Sequence, residues 1–472
     1  MVKSISQRGL FVLTTVLVSL FACKKEYPVN VDSPDEVVLK SIKILNAGAN
    51  GNTVVEGVVD EVNKTVSFPR LDTATNFANI KFEAVMSNGA KLDQETYSWN
   101  FNPGESEKTQ VIKVVNNKRF REYLVKLQLL LPLYGADFTK AQIYDYTNNS
   151  IGNPVYPTFV SLLTRGSGFD GQHVLIVTRA TGGSHLLKVS DLRNYNVSPI
   201  PLNLTGVSGG TFPVNVGAQV NGHTYIANLS SNTAASPLKI YHWTDPAAAP
   251  EVIANYNVGT IAGAGARHGD NMSVNLDAKG NGYIYFGDNA VSKILRFTVT
   301  NYTTVSDPIV LPNATGSSFV MSFNQVGNTG DYIYTGYDAP IRVANESAVI
   351  SYSLSSTAVP IRGSDARVIT FNGERYLIMT TAARSGSDAV VLYVYDITKG
   401  STTTEALQIF NDKPDKSPIF QYSLLGPVNT APSTQTGWYV TKDANGKDDK
   451  LTLYTASADA GFVIIDFPKK TY

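Results

Sequence analysis

The sequence predicts an all-β protein in which a small β-sandwich precedes a β-propeller of six blades. Three observations carry this reading. Tyr and Phe are plentiful at 25 and 20, Gly (37) and Pro (22) recur at short intervals, and long charged helical stretches are missing, which favours short strands joined by tight turns. At 472 residues the chain exceeds what one hydrophobic core organises. A two-strand unit recurs through the final two-thirds of the chain, the mark of a repeat architecture.

Charge and cysteine content narrow the setting. Lys plus Arg and Asp plus Glu are equal at 39 each, so no net field exists to recruit a polyanion, and nucleic acid is not expected as a partner. Cys23 is the single cysteine, which excludes a disulfide within the chain.

The first segment, 1–22, reads as an export leader. Lys3 and Arg8 supply positive charge, and 10–22 is an apolar run too short to span a bilayer comfortably. It ends in Leu20, Phe21, Ala22 and Cys23, which resembles the lipobox of bacterial lipoproteins. The resemblance implies cleavage before Cys23 and acylation of its thiol and new amino group, and several acyl chains at one residue anchor as a single chain cannot. Residues 23–38 then read as anchor and tether. Lys24, Lys25 and Glu26 resemble the surface-export signal of Bacteroidetes lipoproteins, which implies an outer-membrane, cell-surface location, with inner-leaflet retention as the alternative.

The next segment, 39–132, holds β-rich runs at 42–45, 54–59, 65–68, 80–85, 97–100, 110–115 and 122–129, about the number expected of an immunoglobulin-like sandwich. Alternation is clearest in the last run, where Tyr123, Val125, Leu127 and Leu129 share one face. Trp99 is read as a core residue. The arrangement resembles the Ig-like or cadherin-like modules that follow the lipid anchor in many Bacteroidetes surface proteins, and a spacer role suits it.

Residues 133–472 carry the repeat. In its clearest copy Asp277 and the turn Gly280, Asn281, Gly282 lead into strand 283–286, then Gly287, Asp288 and Asn289, then strand 293–298. That order resembles the NHL-type propeller repeat. Further copies pair 174–178 with 186–189, 224–228 with 238–243, 332–335 with 348–354, 375–380 with 390–397 and 451–455 with 462–467, which makes six. Each interval holds enough chain for a four-stranded blade, and radial packing buries faces that a lone small sheet would expose. The last copy reaches the C-terminus without an outer strand, so 140–146 is expected to complete that blade. Seven blades are the alternative, because 418–426, within the longer gap before the last copy, has the character to start an irregular extra blade.

In a propeller the loops from second to third strand and from blade to blade emerge on one face, where ligands gather by analogy. Those loops hold Thr178 and Arg179; Asn228; Arg267, His268, Asp270 and Asn271; Asp288 and Asn289; Tyr337, Asp338 and Arg342; and Arg384. Arg179, Asn228, Arg267, His268, Asp270, Asn271, Asp288, Tyr337, Asp338 and Arg384 are the candidate ligand-binding residues, a mixed polar and aromatic set suited to neutral polar ligands such as glycans or peptides. The densest group is 267–271, directly after the Gly-rich run 259–265. Trp243 and Trp438 lie near strand ends and are read as blade packing ahead of ligand platforms.

Several motif matches mislead. Gly206, Ser208 and Gly210 fit G-x-S-x-G without the strand-turn-helix that exposes a nucleophile. The run 263–269 lacks the spacing of a dinucleotide fingerprint, and 442–450 has calcium-loop chemistry without EF-hand spacing, so a hairpin turn explains it more simply. No His-Glu-x-x-His or Cys-His cluster occurs, and neither a metal nor a cofactor is expected. Asp270, Asp288 and Asp338 are the candidates for paired carboxylates of a glycosidase.

The leading expectation is a non-catalytic surface protein that binds an extracellular glycan or peptide beside an outer-membrane nutrient transporter. The alternatives are a propeller glycoside hydrolase or polysaccharide lyase, and a protein-interaction scaffold.

Overall fold

A computed structural model describes residues 35–102, 104–131, 133–147, 155–159, 162–312, 320–360 and 362–471. The leader, Cys23 and most of the tether lie outside the described residues. The chain forms two compact units, Met1–Pro132 and Leu133–Tyr472.

Among the described residues of the first unit there are eight strands: β1 (Leu39–Ala47), β2 (Thr53–Asp60), β3 (Thr65–Ser67), β4 (Leu71–Asp72), β5 (Phe82–Met86), β6 (Lys91–Leu92), β7 (Glu107–Asn116) and β8 (Arg119–Leu130). They hydrogen-bond in the order β5-β1-β2-β3-β8-β7-β6, with β3 and β4 parallel to β8 and the other pairs antiparallel. Period-two burial in β8 places Tyr123, Val125 and Leu127 beside Ile42, Ile44, Ile112, Val114 and Trp99 in one core. The Tyr123 hydroxyl donates to Glu61 Oε2 (2.6 Å) and accepts from Leu39 N–H (2.9 Å), so the hydroxyl that β8 carries into the core is satisfied. The run 97–100 is not a strand. Tyr97 makes a single bridge to Ile80, and its hydroxyl donates to Asp93 Oδ1 (2.7 Å) in an irregular loop that delivers Trp99 to the core.

The second unit is a six-bladed propeller. Blade 1 is β10 (Thr164–Phe169), β11 (His173–Thr178), β12 (His185–Lys188) and β13 (Ile200–Pro201); blade 2 is β14 (Phe212–Val220), β15 (His223–Leu229), β16 (Leu238–Trp243) and β17 (Glu251–Tyr256). Blade 3 is β18 (Ser273–Leu276), β19 (Gly282–Gly287) and β20 (Lys293–Thr300), edged by β21 (Thr304–Val305) and β22 (Ile309–Pro312). Blade 4 is β23 (Met321–Gln325), β24 (Tyr332–Gly336), β25 (Ala339–Ala344) and β26 (Ile350–Ser353); blade 5 is β27 (Gly363–Phe371), β28 (Glu374–Thr381), β29 (Val390–Asp396) and β30 (Phe420–Leu424). Blade 6 is β31 (Thr434–Lys442), β32 (Asp448–Ser457) and β33 (Gly461–Pro468), completed by β9 (Gln142–Asp145), which pairs antiparallel with β33. The chain thus closes its own ring, as the missing outer strand requires.

Why second strands read as unbroken apolar runs follows from the radial packing. A strand held between two neighbouring blades is buried on both faces, so both sets of alternating side chains must be apolar. Val174 and Ile176 pack toward blade 6, whereas Leu175 and Val177 pack toward blade 2. The same division recurs at Tyr376 and Ile378 against Leu377 and Met379. Six apolar clusters of this kind each join two successive blades, including the last to the first.

In the propeller the structure corrects two more strand expectations. The longest gap before the final copy holds an α-helix, α1 (Thr403–Asp412), inserted between β29 and β30. Thr402 caps it by accepting from Glu405 N–H (3.1 Å), Glu405 returns to Ser401 N–H (2.7 Å), and Ala406, Leu407 and Phe410 are buried. Strand 420–424 is therefore the outer strand of blade 5, and the seven-blade alternative falls. In blade 4, a tight turn after β24 makes Ala339–Ala344 the third strand, and the expected run 348–354 becomes the outer one.

Candidate functional site

A channel of about 610 Å³ runs along the propeller axis between the innermost strands, from Asp270 and Ser433 at one end to the first-to-second strand turns at Asp170, Asn221 and Asn328 at the other. Its wall carries a belt of side-chain bonds that joins blade 2 through blade 6 in turn and blade 6 back to blade 1. Asn215 Nδ2 donates to Gly269 O (2.7 Å), Asn275 Nδ2 to Phe323 O (2.8 Å) and Asn324 Nδ2 to Asp365 Oδ1 (2.6 Å). Asp365 Oδ2 accepts from Thr436 N–H (2.7 Å), and Gln435 Nε2 donates to Arg165 O (3.3 Å). Between blades 1 and 2 the contact is backbone on backbone, where a Cβ on Gly168 would lie 2.3 Å from Gln219 N. Short polar side chains at these positions are demanded by the closing of the ring, because inner strands carry edge groups that must be paired.

Two aromatic side chains on this wall take no part in the belt. Trp438 and Tyr439 sit next to each other on β31, 36% and 37% exposed, and both line the channel toward the turn end. Tyr439 lies over Gly171, whose positive φ of 86° and missing Cβ leave room for the ring. Trp438 was expected to pack within its blade. It lies on the innermost strand instead, where one edge of the sheet meets open space. Trp243, by contrast, is buried and donates from Nε1 to Asn203 O (3.0 Å).

The loop residues divide into several fates. Arg267 donates from Nε (2.9 Å) and Nη2 (2.7 Å) to Oδ2 of buried Asp270. His268, fully buried, links blades 2 and 3 through its backbone: its N–H donates to Ser230 Oγ (3.0 Å) and its carbonyl accepts from Ser230 N–H (2.9 Å). Burial pushes its imidazole down to about 4, against a smaller opposing pull from Asp288, so the ring is neutral at pH 7. Asn271 Oδ1 accepts from Gly287 N–H (2.8 Å). Asn228 closes the blade 2 turn, accepting from Lys239 N–H (2.8 Å) and donating to Pro237 O (2.7 Å). Asp288 does the same in blade 3, accepting from Ser292 N–H (2.7 Å), Ser292 Oγ (2.8 Å) and Lys293 N–H (3.1 Å). Asn228, His268, Asn271 and Asp288 are thus parts of the scaffold.

A separate group forms between blades 4 and 5. Tyr337 is buried, donates to Asp388 Oδ2 (2.6 Å), and has its ring covered by the guanidiniums of Arg362 (4.5 Å) and Arg384 (5.6 Å). Asp338 is ion-paired with Arg362. Tyr337 is therefore closed off as a stacking platform. Arg342 belongs to β25, and Thr178 is buried, accepting from Thr164 Oγ1 (2.9 Å).

Arg179 and Asp270 line a second cavity, of about 650 Å³, between blades 1 and 2. Arg165, Asn215, Leu204, Phe212 and Val214 complete the lining that matters chemically. Sequence reasoning passed over Arg165, which lies one residue inside an inner strand, and Tyr439, whose neighbour looked like packing. Of the three acids considered for glycosidase work, Asp288 is spent on a turn, Asp338 is paired with Arg362, and Asp270 alone lines a cavity. The G-x-S-x-G string lies in the loop between blades 1 and 2, with Ser208 O accepting from Tyr241 Oη (2.7 Å). The run 442–450 is the β31–β32 hairpin turn, in which Asp443 Oδ1 accepts from Asn445 and Lys447 N–H (2.9 and 3.0 Å). Among the described residues no group of three or more His, Cys, Asp or Glu is placed to hold a metal ion.

Residues 25–470 match the model of a family described as a domain of unknown function, DUF4623. The crystal structure of a DUF4623 family protein from Bacteroides eggerthii DSM 20697 is 42% identical and superposes with a TM-score of 0.81, over 93% of this chain and 99% of that one. Looser likenesses are to a calcium-binding protein, regucalcin, from Agrobacterium tumefaciens str. C58 (12% identity, 72% of this chain and 96% of that one, TM-score 0.38) and to the WD40 β-propeller domain of Doa1 (10%, 78% and 90%, TM-score 0.35), and neither bears on function. No curated protein matches the chain.

Proposed function

The chain belongs to the DUF4623 family, and on that premise we propose that it is a non-catalytic, lipid-anchored cell-surface protein whose propeller channel binds an extracellular glycan or peptide. One observation carries the ligand reading: Trp438 and Tyr439 stand partly exposed on the wall of a channel that also presents amides and hydroxyls such as Asn221, Gln325, Gln435 and Thr436 among apolar side chains such as Val216 and Met272. Aromatic faces pack on the C–H faces of sugars or on peptide side chains, and amides orient the polar groups. The anchor at Cys23 rests on the lipobox resemblance, and the Ig-like spacer on the strand count of the first unit and its buried Trp99. A Bacteroides species as the source of the solved relative accords with a surface lipoprotein beside an outer-membrane nutrient transporter. The two-carboxylate alternative has less support, since Asp288 and Asp338 are engaged elsewhere.

A glycan and peptide array probed with the soluble form beginning after Glu26 tests the reading. Binding should appear and should fall at least tenfold in Trp438→Ala with the melting temperature held. An array without binders, from folded protein, would refute it.

A further inference from the structure

The cavity between blades 1 and 2 has a chemistry different from that of the channel. Its walls include Leu204, Phe212, Val214 and Leu229, and its charged lining is Arg165, Arg179 and Asp270. Two guanidiniums face one carboxylate, and that carboxylate is already held by two hydrogen bonds from Arg267. Among the described residues the cavity lining therefore carries more positive than negative charge, inside an apolar, partly enclosed space. Arg165 is only 8% exposed, and the Arg179 guanidinium lies over the Phe212 ring, 3.8 Å from its centroid. Both guanidiniums are pulled down from their usual range, by burial first, as expected of cations short of water.

Among the described residues, Arg179 Nε, a donor, and Asn215 Oδ1, an acceptor, are buried here without a partner. The amide of Asn215 is fixed in orientation by its Nδ2 bond to Gly269 O (2.7 Å), so the orphan is the carbonyl oxygen. Buried polar atoms left without partners are costly, so their persistence beside a cavity points to a ligand that supplies both halves.

We propose that this cavity binds an organic acid that combines a carboxylate, a hydrogen-bond donor next to it and an apolar body. The carboxylate meets Arg179 and Arg165, the donor meets Asn215 Oδ1, and the apolar group lies against Leu204, Val214 and Leu229. The last residue of a peptide and a free N-acylated amino acid both present that chemistry. The site stands apart from the channel reading, because neither Trp438 nor Tyr439 touches it.

Calorimetric titration of the purified protein tests it, with N-acetyl-leucine, N-acetyl-leucinamide, decanoate, inorganic phosphate, and a leucine-terminated hexapeptide with its C-terminal amide. N-acetyl-leucine and the free-acid hexapeptide, or one of them, should bind at least about tenfold more tightly than the matching amide, since charge-assisted bonds to guanidinium are lost with the charge. The tighter of the two identifies the source as peptide or free acid. Arg179→Gln should weaken the acid about tenfold, and Asn215→Leu should weaken N-acetyl-leucine while sparing decanoate, which brings no donor. Arg165→Gln should act as Arg179→Gln does; if it fails to fold, Arg179→Gln at the cavity mouth carries the test, and Trp438→Ala should leave acid binding unchanged. Acid and amide binding within twofold of each other, phosphate binding as tightly as the acids, or Arg179→Gln within twofold of the parent would each overturn the proposal.

Discussion

Lowering the pH from 7 to 5 should destabilise the propeller through two histidines. His268 is fully buried and His242 nearly so, and desolvation pushes each down to about 4, with His223 adding repulsion at His242. The sign follows from linkage. In the unfolded chain each imidazole takes up a proton near 6.5, whereas in the folded chain it does not until about 4, so stability is full above the unfolded value and is lost as pH falls between the two. At pH 5 each histidine costs about 2 kcal/mol, and the pair about 4 kcal/mol. At about 2 cal/mol/K of unfolding entropy per residue over Leu133–Tyr472, that is a fall of about 6 °C in melting temperature. His185 and His223 are also held down by burial and add in the same direction. Depressed carboxylates such as Asp466, which Arg193 and Thr452 hold low in spite of burial, lose their contribution only at more acid pH. Thermal melts at pH 7, 6 and 5 of the parent and of His268→Gln check this. The variant should lose about 3 °C less than the parent across the window. A flat melting temperature, or a variant with the parent's slope, would refute the assignment of a neutral buried imidazole.

Three further perturbations act on the ring itself. Arg193→Ala strips Asp466, 3% exposed at its side chain, of two bonds (2.8 and 2.9 Å), and should cost about 3–5 kcal/mol by urea denaturation, leaving Lys450 as the remaining cation. Gly168→Ala forces a Cβ against the backbone of blade 2 and should lower stability by about 1–3 kcal/mol in the same assay, whereas alanine at Gly222 meets no atom within 4 Å and bears only the strain of its positive φ. Ile143→Pro removes a donor from the strand that closes blade 6 opposite Ile465 and should cost about 3 kcal/mol or more, with Ile143→Val below about 1.5 kcal/mol as the control; equal effects would mean that the closing strand does not hold the ring.

The propeller was legible because its second strands are constrained twice over. Runs such as Val174 to Val177 and Tyr376 to Met379 are buried on both faces, so they stand out without alternation, and their spacing counts blades. The missing outer strand after Phe467 likewise announced β9. What stayed hidden is set by tertiary pairing. Nothing local to 339–344 separates a third strand from a loop, since Pro340 and Arg342 interrupt the apolar pattern, and only the register with β24 decides it. The site was harder to read for a different reason. Asn228, Asp288 and Asn271 are the same residue types that meet ligands, yet a propeller needs amides and carboxylates to close turns and to bond one inner strand to the next.

That competition gives a rule for finding ligand contacts in a ring of this kind. A polar side chain in a turn has a backbone donor within reach two to five residues away, and capturing it costs almost no conformational entropy, so Asp288 takes Ser292 and Lys293 before any ligand arrives. Side chains that no turn can use are left over: aromatic rings on an inner strand, whose apolar faces have no backbone partner to seek, and long cations whose donors outnumber the local acceptors. Trp438 and Tyr439 belong to the first kind, Arg179 to the second, with one nitrogen on Leu162 O and its Nε still unpartnered. Ligand recognition then falls to residues chosen by what the fold fails to consume. For this reason the densest polar cluster of the sequence, 267–271, is mostly strut, with Asp270 and Asn271 reaching a cavity wall, while the aromatic and cationic side chains left for a ligand lie elsewhere in the chain.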